Sequence, residues 1–247
     1  MNKLKIALVS YINTIPFIEA IKSSELLKDK LELLIDYPAK CAELIKNKEV
    51  DGGLIPVGAL SDIEGYNIIT DFCIGADGKV DTVELFSNQE FDKVDTIYLD
   101  YQSRTSVRLV KVLAKKYWKK KFIYLETKEG FEESISENAA ILIIGDRVFK
   151  YQDKYKYKID LAEEWKNYTK MPFVFAVWVG NDGLKDIEAD LNQAFDHQIN
   201  TVSDCYSELL TIDKNTFVDY LTNKIDYRFN DKKKDALKLF TNLLNSR

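Results

Sequence analysis

The sequence predicts a two-lobed α/β fold whose chain crosses between the lobes twice. Three observations point there. Short apolar runs alternate with segments of helical periodicity through the first half of the chain, and that alternation implies parallel βαβ units. Two β-rich passages, about Cys73–Asn88 and Phe173–Gly180, interrupt it, as a doubly crossed hinge would. The chain has 247 residues, long for one compact core and suited to two lobes. The crossovers divide it into one lobe of residues 1–84 plus 180–247 and a second of residues 85–179.

The elements follow in order. Lys5–Val9 reads as a strand, and Pro16 opens a helix carrying Phe17, Ala20 and Ile21 on one face. Leu31–Ile35 and Gly53–Ile55 are further strands, with Cys41, Leu44 and Ile45 on a helix between them. Gly75–Gly78 is a turn signal, and Val80–Phe86 follows with strand-like residues. The second series has strands at Thr96–Leu99, Phe122–Leu125 and Ala139–Ile144. Its helices fall at Ser103–Trp118 and near Phe131–Ile135. After the strand Phe173–Val179 everything reads helical, over Ile187–Ile199, Cys205–Leu210, Thr216–Leu221 and Asp235–Leu244. These C-terminal helices are expected to pack back onto the first lobe.

Composition removes several classes of function. Formal net charge is −5, from 35 basic and 40 acidic side chains, which argues against a nucleic-acid partner. The run Lys232–Lys234 is flanked by Asp231 and Asp235 and reads as a solvated helix face. Cys41, Cys73 and Cys205 are widely spaced and odd in number, so reduced packing cysteines are expected. With no CxxC and one histidine, no conventional zinc site is expected. No stretch reaches the roughly 20 apolar residues of a membrane span. The apolar run after Met1 is too short and broken for a signal peptide, so a cytoplasmic location is expected. GxSxG, GxxxxGK[ST] and GxGxxG are all missing, which leaves nucleotide cofactors and serine-hydrolase chemistry unsupported.

Candidate site residues cluster where strands end, the usual place for ligands in such sheets. Ser103 is a good helix cap after the strand Thr96–Leu99, with Arg104, Thr105 and Ser106 in the first turn. Free N–H groups, hydroxyls and the positive end of the helix dipole meet there and suit an anion. Plain capping with an exposed arginine is the alternative. Ser10–Thr14, after the first strand, groups neutral hydrogen-bonding side chains that also read as turn chemistry. Ser87 and Asn88 end a crossover strand, although a Ser-Asn pair there is usually a turn. Gly145 permits close backbone approach, and Asp146 either orients Arg104 or caps the next helix. His197 lies in a charged helix, far in sequence from every strand end, and is a poor general base.

Seven blocks occur in a telling order: Ser10–Pro16, Gly53–Val57, Ile74–Gly78, Leu85–Ser87, Ser103–Ser106, Ile144–Asp146 and Phe175–Trp178. Together they resemble the chorismate dehydratases of the futalosine route to menaquinone, over some two-thirds of the chain. The resemblance implies a type-2 periplasmic-binding-protein-like fold used as an enzyme, chorismate as the small-molecule partner, and no cofactor. It places Ser103, Arg104 and Thr105 on a carboxylate, with Asn13 and Ser87 beside the reacting ring; Ser10 and Asp146 join the substrate contacts. Ile12 stands where the family commonly has Leu. Two alternatives share the fold. One is a non-catalytic receptor for a small anion. The other is the later enzyme acting on cyclic dehypoxanthine futalosine, which relies on a histidine in its site. Monomer and homodimer stay open.

Overall fold

Leu4–Val9 (β1) is buried from Ile6 to Val9, as an interior parallel strand covered on both faces must be. In this computed structural model, which describes residues 3–133 and 135–246, β1 pairs in parallel with two neighbours. These are Leu31–Asp36 (β2) and Gly52–Pro56 (β3). Helices Ile15–Ser23 (α1) and Pro38–Lys46 (α2) connect them, and each carries a proline in its first turn, where the missing N–H costs nothing. Asn67–Ala76 (β4) then leaves the first lobe for the second.

The second sheet contains Val83–Ser87 (β5), Thr96–Leu99 (β6), Ile123–Glu126 (β7), Ala139–Ile144 (β8) and Tyr157–Asp160 (β9). Its order is β7-β6-β8-β5-β9. Strand β6 is parallel to both β7 and β8, whereas β5 runs antiparallel to β8 and β9. Helices Thr105–Leu113 (α3), Arg147–Tyr151 (α4) and Leu161–Thr169 (α5) belong to this lobe. The chain returns through Phe173–Gly180 (β10), which lies antiparallel between β3 and β4. Asp182–Lys185 (α6), Glu188–Ile199 (α7), Lys214–Asp219 (α8), Asp226–Arg228 (β11) and Asp231–Asn245 (α9) complete the first lobe. Its sheet has the order β11-β4-β10-β3-β1-β2.

Several expectations need correction. Strand β10 pairs in the first sheet, so the return passage falls at residues 170–172, before the strand and not after it. Strand β9 and helix α5 were not foreseen, because Tyr157–Asp160 alternates with lysine and carries little apolar signal. The segment after Cys205 is not a helix; only a short 3₁₀ turn forms, at Val202–Cys205. Near Phe131–Ile135 the structure has a 3₁₀ turn, Phe131–Glu133, and Ser134 lies outside the described residues.

Lys233 overturns the reading of its lysine run. Its side chain is 0% exposed. The ammonium donates to the carbonyls of Asp226 and Arg228, each at 2.7 Å, and pairs with the Asp226 carboxylate at 2.6 Å. A buried ammonium needs this full set of acceptors, and meeting that need pins the three-residue strand β11 to α9.

One aromatic cluster centres the first lobe. The Phe17 ring lies 4.7 Å from Phe195, 5.4 Å from both Trp178 and Tyr227, and 6.4 Å from Phe72. It thereby joins α1, β4, β10, β11 and α7. Cys41, Cys73 and Cys205 are free and buried, and burial pushes their thiols up to about 12, 12 and 11. They are packing residues, not nucleophiles. Among the described residues no helix is long and apolar enough to cross a membrane.

The outward passage is held by Asp160. One oxygen accepts the Val80 and Asp81 N–H groups at 2.9 and 2.7 Å, and the other caps α5 through Ala162 and Glu163 at 2.9 and 3.0 Å. One carboxylate therefore ties the outward passage to the start of α5 in the second lobe.

Phe17→Ala should cost about 3–5 kcal/mol, because the vacated ring space is walled by four rigid aromatics and cannot collapse. Denaturant unfolding measures this; a loss under about 1 kcal/mol would contradict the central role of the cluster.

Candidate active site between the lobes

The carboxyl ends of the parallel strands β1, β3, β6 and β8 all open onto one cleft between the lobes. Its walls are largely apolar, with Val9, Leu54, Ile74, Val83, Ile144 and Phe175 among them. Its polar lining includes Asn13, Thr14 and Thr82, and the start of α3.

Helix α3 begins as expected. The Ser106 N–H donates to Ser103 Oγ at 2.9 Å, so Ser103 caps the first turn. Ser103, Arg104, Thr105 and Ser106 all line the cleft, and a first turn offers amide protons with no helical partner. The Thr105 hydroxyl is already committed. It accepts the Gly58 N–H at 3.0 Å and donates to the Phe175 carbonyl at 2.9 Å, bracing the second lobe against the first. Only the backbone of Thr105 remains for an anion. The Arg104 side chain is half exposed at the cleft mouth, 3.6 Å from Glu43 of α2.

Asp146 joins the lobes instead of facing a ligand. Both its oxygens accept the Ile12 N–H, each at 3.0 Å. Burial raises its carboxyl to about 6, and the Ile12 hydrogen bond works against that rise. Beside it, the Tyr11 hydroxyl donates to Gln102 Oε1 at 2.6 Å. Burial and then the Asp100 charge hold that hydroxyl well above its ordinary value, so it stays a neutral donor. The Tyr11 ring lies so close to Gly145 that a Cβ there would stand 2.7 Å from it. Asp100 is itself buried. It accepts the Gln102 and Ile144 N–H groups at 2.9 Å and pairs with Arg147, fixing the ends of β6 and β8.

Besides Asp146, two expected residues fall outside the cleft lining. Ser10 is exposed, and its N–H only extends the ladder to the Asp36 carbonyl at 2.9 Å. Ser87 is buried at the wrong end of β5, bonded to the Ala139 carbonyl at 3.1 Å and to the Gln89 N–H at 3.0 Å. The cause is strand direction. Strand β5 is antiparallel to β8, with Val83 opposite Ile144 and Ser87 opposite Ala140. Its amino end therefore meets the cleft. The residue delivered there is Thr82, which sequence reasoning passed over. Asn13 is where it was expected, at the carboxyl side of β1.

Behind the cleft lie three carboxylates, Asp81, Glu84 and Asp160, whose oxygens fall within 4.8 Å of one another. Asp81 is neutralised by Lys79 at 2.5 Å and Lys224 at 2.9 Å, and Asp160 is occupied by backbone N–H groups. Among the described residues one Glu84 oxygen has no hydrogen-bond partner, and burial followed by the nearby Asp160 charge pushes the carboxyl up to about 8.

Fold and cleft together define a two-lobed α/β protein of the periplasmic-binding-protein class. Solved structures agree. A protein of Archaeoglobus fulgidus matches with a TM-score of 0.76 and 16% identity, covering 98% of this chain and 97% of its own. A Candida albicans gene product described as having the generic periplasmic-binding-protein fold gives 0.68 at 14% identity, over 100% and 92%. An alkanesulfonate-binding protein of Xanthomonas axonopodis gives 0.64 at 13% identity, over 98% and 92%. Within this class the chain belongs to the menaquinone-biosynthesis family, which matches residues 4–246. It is similar to the chorismate dehydratase of Thermus thermophilus, with 29% identity over 161 residues, 57% of this chain and 58% of that protein's length.

Glu84 makes stability fall with rising pH. In the unfolded chain it ionises near 4.5 and in the folded protein near 8, so the folded state holds the extra proton between those values. Its favourable contribution is complete below about 4.5 and gone above about 8. The charges facing it are Asp160, Lys79, Lys158 and Asp81. Thermal unfolding of Glu84→Gln should show a shallower decline from pH 5 to 8 than wild type; parallel curves would refute the assignment.

Proposed function

We propose that this protein dehydrates chorismate to 3-[(1-carboxyvinyl)oxy]benzoate as a step of menaquinone biosynthesis. The observation that carries the reading is a largely apolar cleft between the lobes that is lined both by the first turn of α3 and by the neutral donors Asn13 and Thr82. Family membership supports the pathway, and the likeness to the Thermus thermophilus chorismate dehydratase supports the reaction.

The chemistry asks for what the cleft offers. A carboxylate of the substrate docks at the first turn of α3, where Ser103, Ser106 and the Arg104 and Thr105 backbone supply donors and the helix dipole adds attraction. The Arg104 guanidinium exchanges Glu43 for the substrate as the cleft fills. The ring rests against the apolar walls, with Asn13 and Thr82 at the face where bonds change. A proton leaves the ring carbon that is conjugated through the diene to the ring carboxylate, and charge spreads over that system. The neighbouring C–O bond then breaks, and hydroxide departs with a proton as water. Aromatisation drives the step, so positioning and well-placed donors can supply much of the catalysis. Asn13 and Thr82 are neutral at working pH and act by hydrogen bonding, not as bases. The substrate's own enolpyruvyl carboxylate is the proton acceptor in this scheme.

Incubation of the protein with chorismate, followed by absorbance and mass, tests the reading directly. Binding without loss of water would favour a receptor. Asn13→Ala and Thr82→Val should each lower kcat on the order of 100-fold with little change in binding, as lost transition-state donors do. Ser87→Ala should keep turnover within about 2-fold while costing about 1 kcal/mol of stability, since its hydroxyl serves only local backbone. His197→Ala should be nearly silent in both. Fast turnover by Asn13→Ala would remove the site drawn above.

Arg104→Ala should raise KM by about 10-fold, a charge-assisted contact discounted for its half-exposed position. An unchanged KM would move the carboxylate elsewhere.

A further inference from the structure

The cleft residue Asn13 is held from behind by two tyrosines that lie more than 200 positions later in the chain. Its Nδ2 donates to the Tyr220 hydroxyl at 3.2 Å, and its carbonyl accepts from the Tyr227 hydroxyl at 3.0 Å. The Tyr220 hydroxyl also lies 2.8 Å from Thr82 Oγ1. We propose that Tyr220 is a positioning residue that sets the direction of a hydrogen-bond chain and leaves Asn13 and Thr82 as donors into the cleft. The inference rests on the dehydratase reading.

The direction follows from counting protons. Tyr220 carries one hydroxyl proton and already accepts from Asn13. Among the described residues, its other hydrogen-bonding neighbour is Thr82. A chain with every proton used runs from the Asn13 amide to the Tyr220 oxygen, and from the Tyr220 proton to Thr82. The Thr82 proton then has the cleft as its outlet. Asn13 is fixed in the same way. One Nδ2 proton goes to Tyr220, Oδ1 accepts from Thr14 Oγ1 at 3.2 Å, and the second Nδ2 proton is left for a ligand. Links in such a chain polarise one another, so each donor is strengthened by the one behind it.

The location suits this task. Tyr220 is only 3% exposed, and its ring packs edge-on against Phe149 of α4 at 5.7 Å. It therefore touches the first lobe at Asn13, the outward passage at Thr82 and the second lobe at Phe149. Burial keeps the hydroxyl protonated, since it raises the tyrosine far above its ordinary value. The chain thus keeps its direction across the working pH range.

Tyr220→Phe is the test, because it keeps the ring and its packing while removing the hydroxyl. With chorismate as substrate, kcat should fall about 10-fold and KM stay within about 2-fold, the pattern for a group that acts on the transition state through others. Thr82→Val cuts the same link from its other end. Adding Tyr220→Phe to Thr82→Val should cost less than the roughly 10-fold of the single change, since only the Asn13 link of the chain is then left to lose. Thermal unfolding confirms that each variant is folded. Wild-type kcat in folded Tyr220→Phe, or losses that multiply fully in the double variant, would overturn the positioning role alone. Wild-type protein that leaves chorismate unchanged would overturn the dehydratase reading and this role with it.

Discussion

A single buried carboxylate, Asp160, ties the outward passage of the chain to the second lobe. Four backbone N–H groups converge on it, two from the outward passage and two from the start of α5, which leads to the return. Two lobes joined by loose linkers would drift, and a cleft between them would have no fixed shape. With the outward passage bonded to a buried anion at the start of α5, that linker is held and not loose. Thr82, the residue that follows the clamped pair, is thereby placed at the cleft.

The opposite edge of the cleft is fastened by a second set of contacts. Asp146 holds the Ile12 amide, Tyr11 reaches Gln102, and Thr105 bridges Gly58 and Phe175. Each joins one lobe to the other. Asp146 and the Thr105 hydroxyl, which sequence reasoning assigned to the ligand, belong to this fastening. Polar side chains at strand ends have two possible customers, a ligand or the other lobe, and sequence alone does not separate them.

Much of the architecture was legible because periodicity reports burial. Strands β6 and β8 fall where apolar runs place them, and α3 begins at the cap that Ser103 provides. What was illegible depends on direction and distance. A strand reads the same whether parallel or antiparallel, so the reversal of β5 put Ser87 far from the site and hid Thr82. Tyr220 and Tyr227 lie in a stretch with no motif, and nothing local signals that they reach Asn13. Lys233 looked solvated because its neighbours are charged, yet the short strand beside it supplies the acceptors that let it be buried. These are tertiary facts, and they override local pattern.

Gly58 and Gly145 mark two places where the lobes approach closely. A Cβ on Gly58 would stand 2.8 Å from the backbone of Arg104 and Thr105, and one on Gly145 would press into the Tyr11 ring. Neither glycine is buried within the core of one lobe; each is a surface that becomes internal only when the lobes meet. The missing methyl groups therefore set a gauge for the gap, much as a shim sets the clearance of a bearing. A single methyl at position 58 would press on the backbone at the start of α3, in the other lobe. Shape of the parts and spacing between them are thus written at different positions of the same chain.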